Sequence, residues 1–180
     1  AKTSAFDAEF DVVVAGSGAG GLASALFLAW EGNKVLVLEK AGELGGTTKK
    51  AAFWYWVPNN KAMRALGIRD EKADCIRYMA RLSQPQSYDA NSPHFGLNDW
   101  EYDACEAIYD YASVATELLA DKGALEYRHC EAVPDYWAEL PEDKAPTGRV
   151  LRPKDARDTM SDGGEVAVRT MSAAARKAGV

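Results

Sequence analysis

Gly16-Ser17-Gly18-Ala19-Gly20-Gly21 constrains this chain more than any other stretch, because of what flanks it. Phe10 to Ala15 (F-D-V-V-V-A) is a short β-branched run of the kind that forms a buried parallel strand. The glycines at 16, 18 and 21 follow it without a break and satisfy G-x-G-x-x-G. Gly21 to Trp30 then carries small and apolar residues at helical spacing, and Gly32-Asn33 supplies the stop. Lys34 to Leu38 (K-V-L-V-L) reads as a second buried strand, closed by Glu39. A lone G-x-G-x-x-G carries little weight, but strand, turn, helix, strand and acid in this order predict a βαβ unit.

Such a unit is suited to a dinucleotide. Gly16 permits a tight turn, Gly18 lets the backbone approach a pyrophosphate, and Gly21 lets the helix pack close to the strand. The helix start adds unpaired N–H groups and partial positive charge. Glu39, at the tip of the second strand, is placed to accept hydrogen bonds from ribose hydroxyls.

Composition narrows the partners. The net charge is −6, from 21 basic and 27 acidic residues, and no basic cluster exceeds a pair, which argues against nucleic acid or an anionic membrane. The longest apolar stretch, Leu22 to Trp30, falls far below the ~20 residues that span a bilayer. Cys75, Cys105 and Cys130 are odd in number and far apart, so neither a disulfide framework nor a zinc site is indicated. Buried thiols and a cytoplasmic location are expected. The N-terminus lacks a secretory pattern and an initiator Met, which points to a processed or engineered start.

Beyond Glu39, Lys40 to Gly46 is a loop with a second glycine pair, Gly45-Gly46, followed by Thr47-Thr48. A simple NAD domain does not need that pair; a loop that folds back onto a bound dinucleotide does. The aromatic run Ala51 to Val57 suits either a buried strand or a cofactor wall. Short helices are expected over Asn60 to Leu66 and Glu71 to Leu82, then a polar loop over Ser83 to Asn98. The longest helical pattern, Tyr102 to Lys122, puts Ile108, Tyr111, Ala115, Leu118 and Leu119 on one face, and Gly123 ends it. Leu125 to His129 reads as a strand, and Val133 to Gly164 as largely irregular. Glu165 to Lys177 reads as a final helix. At 180 residues one domain is expected: a nucleotide unit over 10–48, a helical insertion and loop over 60–164, and a helix over 165–178. Two or three strands make a thin sheet, so more chain is expected to follow.

Three stretches, D-V-V-V-A-G-S-G-A-G-G-L-A, V-L-V-L-E-K and G-E-L-G-G-T-T, resemble the N-terminal FAD-binding region of the fumarate reductase/succinate dehydrogenase flavoprotein superfamily. Within it the sequence is most similar to the 3-ketosteroid dehydrogenases, through W-V-P-N-N (Trp56 to Asn60), Y-R-H-C-E-A-V-P-D-Y-W (Tyr127 to Trp137) and T-G-R-V-L-R-P (Thr147 to Pro153).

The resemblance implies a Rossmann-like, glutathione-reductase-type FAD-binding fold of class α/β, truncated, with the capping and substrate domain absent. It implies FAD held at the pyrophosphate by Gly16, Ser17, Gly18, Ala19, Gly20 and Gly21, and at the adenosine ribose by Glu39. Lys40, Gly45, Gly46, Thr47 and Thr48 would lie along the ADP-to-flavin side, and Tyr136 would assist proton abstraction from a steroid. Where relatives have Ser-Gly-Gly or Ser-Gly-Ala near the flavin, this chain has Ala51-Ala52-Phe53. Some relatives attach FAD through a histidine in this stretch; with only His94 and His129 present, non-covalent FAD is expected.

The expected activity is an FAD-dependent oxidoreductase acting on a C–C bond beside a carbonyl, on a small molecule such as a steroid or enoate. The remainder of the polypeptide would be required for turnover. A fumarate reductase-like enoate reductase and a non-catalytic nucleotide-binding module are the alternatives. No His/Cys/Asp spacing suggests a metal, and no G-x-S-x-G suggests a serine hydrolase.

Overall fold

The computed structural model describes residues 6–157 and 161–180. Along the chain lie β1 (Val12–Ala15), α1 (Ala19–Trp30), β2 (Val35–Leu38), a 3-10 turn (Thr48–Lys50), β3 (Tyr55–Trp56), α2 (Lys61–Ala65), α3 (Lys72–Ser83), α4 (Asp99–Asp121), β4 (Tyr127–His129), β5 (Val150–Pro153) and α5 (Gly163–Lys177). They divide into two compact units. The first holds the chain up to Phe53 with residues 122–126 and 153–180; the second holds 54–121 and 127–152.

In the first unit β1 and β2 pair in parallel, from Val12 opposite Val35 to Ala15 opposite Leu38. The Asp11 carboxylate starts the pair by accepting Lys34 N–H at 2.7 Å, and Gly16 N–H donates to Leu38 O at 2.7 Å where the strands end. Helix α1 buries Leu22, Ala25 and Leu26, and α5 buries Val166, Ala167, Val168, Met171 and Ala175, so the two helices pack along their small-residue sides. Gly164 permits a close approach of α5 to the 3-10 turn: a Cβ would stand 1.9 Å from Thr48 O, and its N–H donates to Ala51 O at 2.9 Å.

The second unit sets α2, α3 and α4 with a three-stranded sheet in the order β3-β5-β4. Strands β3 and β5 are antiparallel, with Tyr55 opposite Leu151 and Trp56 opposite Val150. One core cluster gathers Ile76, Ala80, Leu97 and Cys105, with Met79, Tyr88, Phe95 and Tyr102 against it.

Helix placement follows the sequence pattern, with two corrections. Helix α4 starts at Asp99 rather than Tyr102, because Asn98 and Glu101 form a reciprocal cap: Glu101 N–H donates to Asn98 Oδ1 and Asn98 N–H to a Glu101 carboxylate oxygen, both at 3.0 Å. Its buried face is Cys105, Ser113, Thr116 and Leu119, while Ile108, Tyr111 and Leu118 face water. The stretch from Val133 to Gly164 contains a strand, β5, that its prolines hid; positions 158–160 of that stretch lie outside the described residues. Pro153 closes β5 and Pro141 and Pro146 stand outside it, so none removes an interior ladder bond.

Candidate functional site

The turn between β1 and α1 is held by one serine. Ser17 is fully buried, and its hydroxyl donates to Glu39 Oε2 at 2.6 Å while accepting Gly45 N–H at 2.9 Å. Its backbone N–H donates to the same Glu39 oxygen at 3.1 Å. Ala41 N–H donates to Glu39 Oε1 at 2.9 Å. Three separate pieces of chain, the glycine turn, the tip of β2 and the Gly45 loop, therefore meet on one hydroxyl and one carboxylate. The Ser17 hydroxyl is thus committed inward, to the acid and the loop.

The Ser17 hydroxyl, the Ala41 N–H and the Ser17 N–H hold the Glu39 carboxyl down at about 2, against an ordinary value of 4.5. Stabilisation from a depressed carboxyl is complete above its unfolded value and is lost as pH falls through the folded one. The stabilisation from the Glu39 contacts is thus expected to be complete above pH 4.5 and to be lost as pH falls from there to about 2, where the carboxylate itself protonates. A carbon-13 titration of the Glu39 carboxyl should show its midpoint near 2. A midpoint near 4.5 would mean that the Ser17 and Ala41 bonds do not form in solution.

The helix N-terminus faces a second hydroxyl. Thr48 Oγ1 accepts Ala19 N–H at 3.0 Å and lies 3.4 Å from where a Gly18 Cβ would stand. Gly45, at φ +106°, is buried against Val168, whose methyls would lie 2.7 Å from any Cβ there. The second glycine pair thus lets the loop close on α5 and deliver Thr48 to the start of α1. Lys40, Gly46 and Thr47 are exposed on the rim.

An anionic dinucleotide fits this arrangement. Gly16 turns at φ +94°, and both it and Gly20 have open space where a side chain would be. Gly21 does not: a Cβ would stand 2.0 Å from Gly16 O, so α1 rests directly on the turn. First-turn helical N–H groups lack intrahelical acceptors and suit phosphate oxygens. Residues 16–21, 39, 45 and 48 are brought together within the first unit.

The family described as FAD binding domain matches residues 11–180. The chain belongs to that family. It is 34% identical over 145 residues to the 4-oxocyclohex-2-ene-1-carboxylate 5-dehydrogenase of Sinomonas cyclohexanicum, a match covering 81% of this chain and 22% of the relative. It is 32% identical over 149 residues to the 3-oxosteroid 1-dehydrogenase of Mycolicibacterium smegmatis, covering 81% of this chain and 23% of that protein. Among solved structures, the 3-ketosteroid delta1-dehydrogenase of Sterolibacterium denitrificans, bound to 1,4-androstadiene-3,17-dione, superimposes with a TM-score of 0.63 at 30% identity, over 80% of this chain and 23% of that one. The chain thus spans less than a quarter of the length of these relatives. FAD is the cofactor of this family domain, and no described helix is long and apolar enough to cross a membrane.

Tyr136 belongs to the second unit. It is 89% exposed on the loop between β4 and β5 and stands beside Trp137, also exposed. What holds that loop escaped the sequence reading. The fully buried Arg149 guanidinium grips Asp70 through two bonds of 2.9 Å, reaches Asp143 at 3.0 Å and bonds the Asp135 carboxylate. Asp135 Oδ1 accepts Arg149 N–H at 2.8 Å, and Trp56 Nε1–H donates to Oδ2 at 2.9 Å. The guanidinium also lies 5.2 Å from the Trp56 ring centre and 5.4 Å from that of Tyr78. Asp135 directly precedes Tyr136, so this cluster fixes the backbone that presents the tyrosine. Its signal in the sequence was weak, since three aspartates spread from 70 to 143 make no local pattern.

Among the described residues, no His, Cys, Asp and Glu group is arranged to hold a metal. Phe53 takes φ +55° in the Ala51-Ala52-Phe53 stretch, a left-handed conformation at a position where a glycine costs nothing.

Proposed function

We propose that this chain is the cofactor-holding part of an FAD-dependent oxidoreductase of Rossmann-like, glutathione-reductase type. The reaction removes hydrogen across a C–C bond next to a carbonyl, and the substrate class is a 3-ketosteroid or a smaller cyclic ketone. The observation that carries the reading is the Ser17 hydroxyl shared between Glu39 and Gly45, which ties the acid of a dinucleotide unit to the second glycine pair. The similarity to dehydrogenases of oxocyclohexene carboxylate and oxosteroid supports the substrate class.

Each residue has a task in that reading. Glu39 keeps its charge at all physiological pH and retains acceptor capacity for ribose hydroxyls, since three donors occupy about four lone-pair positions. The start of α1 takes the pyrophosphate on backbone N–H groups, with Gly20 leaving room. Thr48 holds Ala19 N–H and the loop in place, while Lys40, Gly46 and Thr47 border the ligand from the rim. Tyr136 takes part in removing the α-proton as a relay, its hydroxyl passing the proton on to an acceptor. FAD, when bound, supplies the two-electron acceptor.

The test uses the full-length polypeptide carrying this sequence. Anaerobic addition of a 3-ketosteroid should bleach the oxidised flavin absorbance, whereas fumarate should not restore the absorbance of the dithionite-reduced flavin. Tyr136→Phe should slow bleaching roughly ten- to a hundredfold with FAD content intact. Bound FAD that no carbonyl substrate bleaches would reduce the chain to a nucleotide-binding module.

A further inference from the structure

Helix α4 has two apolar sides. One, through Cys105, Ser113, Thr116 and Leu119, packs into the second unit. The other runs through Trp100, Ala104, Ala107, Tyr111, Val114 and Leu118, of which only Ala104 is half-buried and the rest face water. Of these, Trp100 is 78% exposed, Tyr111 68% and Val114 61%. Spacings of four, three, four, three and four residues follow a coiled-coil seam, so at about 100° per residue these positions form one straight line. The line is about 27 Å long at 1.5 Å per residue. A single exposed apolar residue needs no explanation; a continuous stripe of this size marks a contact surface.

We propose that this stripe is the seam of a homodimer in which α4 packs antiparallel against α4 of a second copy, crossing a two-fold axis at Tyr109. The sequence is complementary to itself in that register. Trp100 faces Leu118 of the second copy, Ala104 faces Val114, and Ala107 faces Tyr111, so each small residue meets a larger one. A parallel pairing would instead set Trp100 on Trp100 and leave Ala104 and Ala107 facing their own equivalents.

On one flank the two Ile108 side chains, each 44% exposed, meet at the two-fold. On the other flank the two Asp110 carboxylates meet near the two-fold, while Glu117 comes level with Asp99 and Asp103 of the second copy. Within its own chain Asp110 is neutralised by Lys72 at 2.8 Å and Glu117 by Arg64 at 2.6 Å. The exposed parts of the stripe amount to roughly 500 Å² per copy at ordinary aromatic and aliphatic side-chain areas. An isologous pair doubles this to about 1,000 Å², where specific interfaces begin. The inference is independent of the flavin chemistry.

Sedimentation equilibrium of the chain tests it. At tens of micromolar the expected mass is twice the 19.5 kDa of one copy. The double variant Tyr111→Glu with Val114→Glu should weaken association at least a hundredfold and return the mass to 19.5 kDa, with the thermal unfolding midpoint of the wild type diluted to its monomer, because both positions face water in one copy. Oxidation with diamide gives a second readout that does not depend on those variants. Ile108→Cys should cross-link to itself across the two-fold, while Trp100→Cys, at opposite ends of an antiparallel seam, should not. The wild type, whose three cysteines are buried, serves as the control. A monomer at these concentrations, a dimer indifferent to the two glutamates, or self-cross-linking of Trp100→Cys in place of Ile108→Cys would each overturn the proposal. Protection of Trp100 in a monomer, by another segment of the polypeptide, would overturn it too.

Discussion

Arg149→Met is expected to cost the second unit roughly 3–5 kcal/mol, enough on its own to unfold many domains. The reason is what it leaves behind. Asp70, Asp135 and Asp143 are nearly inaccessible, and all three point at the guanidinium. Removing the cation strands three carboxylates in a low-dielectric pocket, and burial already raises the Asp143 carboxyl above its ordinary range. Urea denaturation of the variant should show the loss. The cluster as a whole is a different matter, because pairing in the interior only offsets desolvation. Arg149→Leu combined with Asp70→Asn, Asp135→Asn and Asp143→Leu should recover most of the stability. If Arg149→Met alone cost less than 1 kcal/mol, the described cluster would not be what fixes the loop that bears Tyr136.

Gly21→Ala should abolish FAD binding while Gly20→Ala leaves the fold intact. At position 21 the added methyl would stand 2.0 Å from Gly16 O, a backbone atom that cannot swing aside. Helix α1 must then lift off the turn, which breaks the alignment of its N–H groups with a pyrophosphate. Overpacking of this kind costs typically 1–3 kcal/mol of stability, and the affinity loss is expected to exceed a hundredfold. At position 20 the same methyl meets nothing within 4 Å and sits in the first turn of α1, so stability should hold or rise by up to ~1 kcal/mol. Its cost falls on the ligand alone, because the open space there is what a phosphate would occupy. Flavin fluorescence quenching separates the two variants. Equal FAD affinities for Gly21→Ala and the wild type would contradict the close-approach role of Gly21.

The nucleotide unit was legible because its signals are local. Strand periodicity, glycine spacing and a terminal acid all fall within the thirty or so residues that a βαβ unit needs, and each maps onto one backbone requirement. The long helix shows where that kind of reading ends. Its outward stripe is apolar and its inward face mixes Cys105 and Leu119 with the polar Ser113 and Thr116, so periodicity finds the helix but not the side that is buried. Arg149 was illegible for a further reason. Its partners come from positions 70, 135 and 143, and nothing in the sequence brings them together before the fold does. Ser17 lies between these cases, since its place in the glycine turn was evident but its inward commitment to Glu39 and Gly45 was not.

The three cysteines all fall in the second unit, and the first has none. Each is buried, and desolvation pushes the Cys75 and Cys105 thiols up, away from the reactive thiolate. The chain therefore carries its own clock for one half of itself. Under a thiol reagent such as DTNB, the labelling rate measures how often the second unit opens, while the nucleotide unit stays silent. Run with and without FAD, that clock would report whether holding the cofactor in one unit slows the breathing of the other.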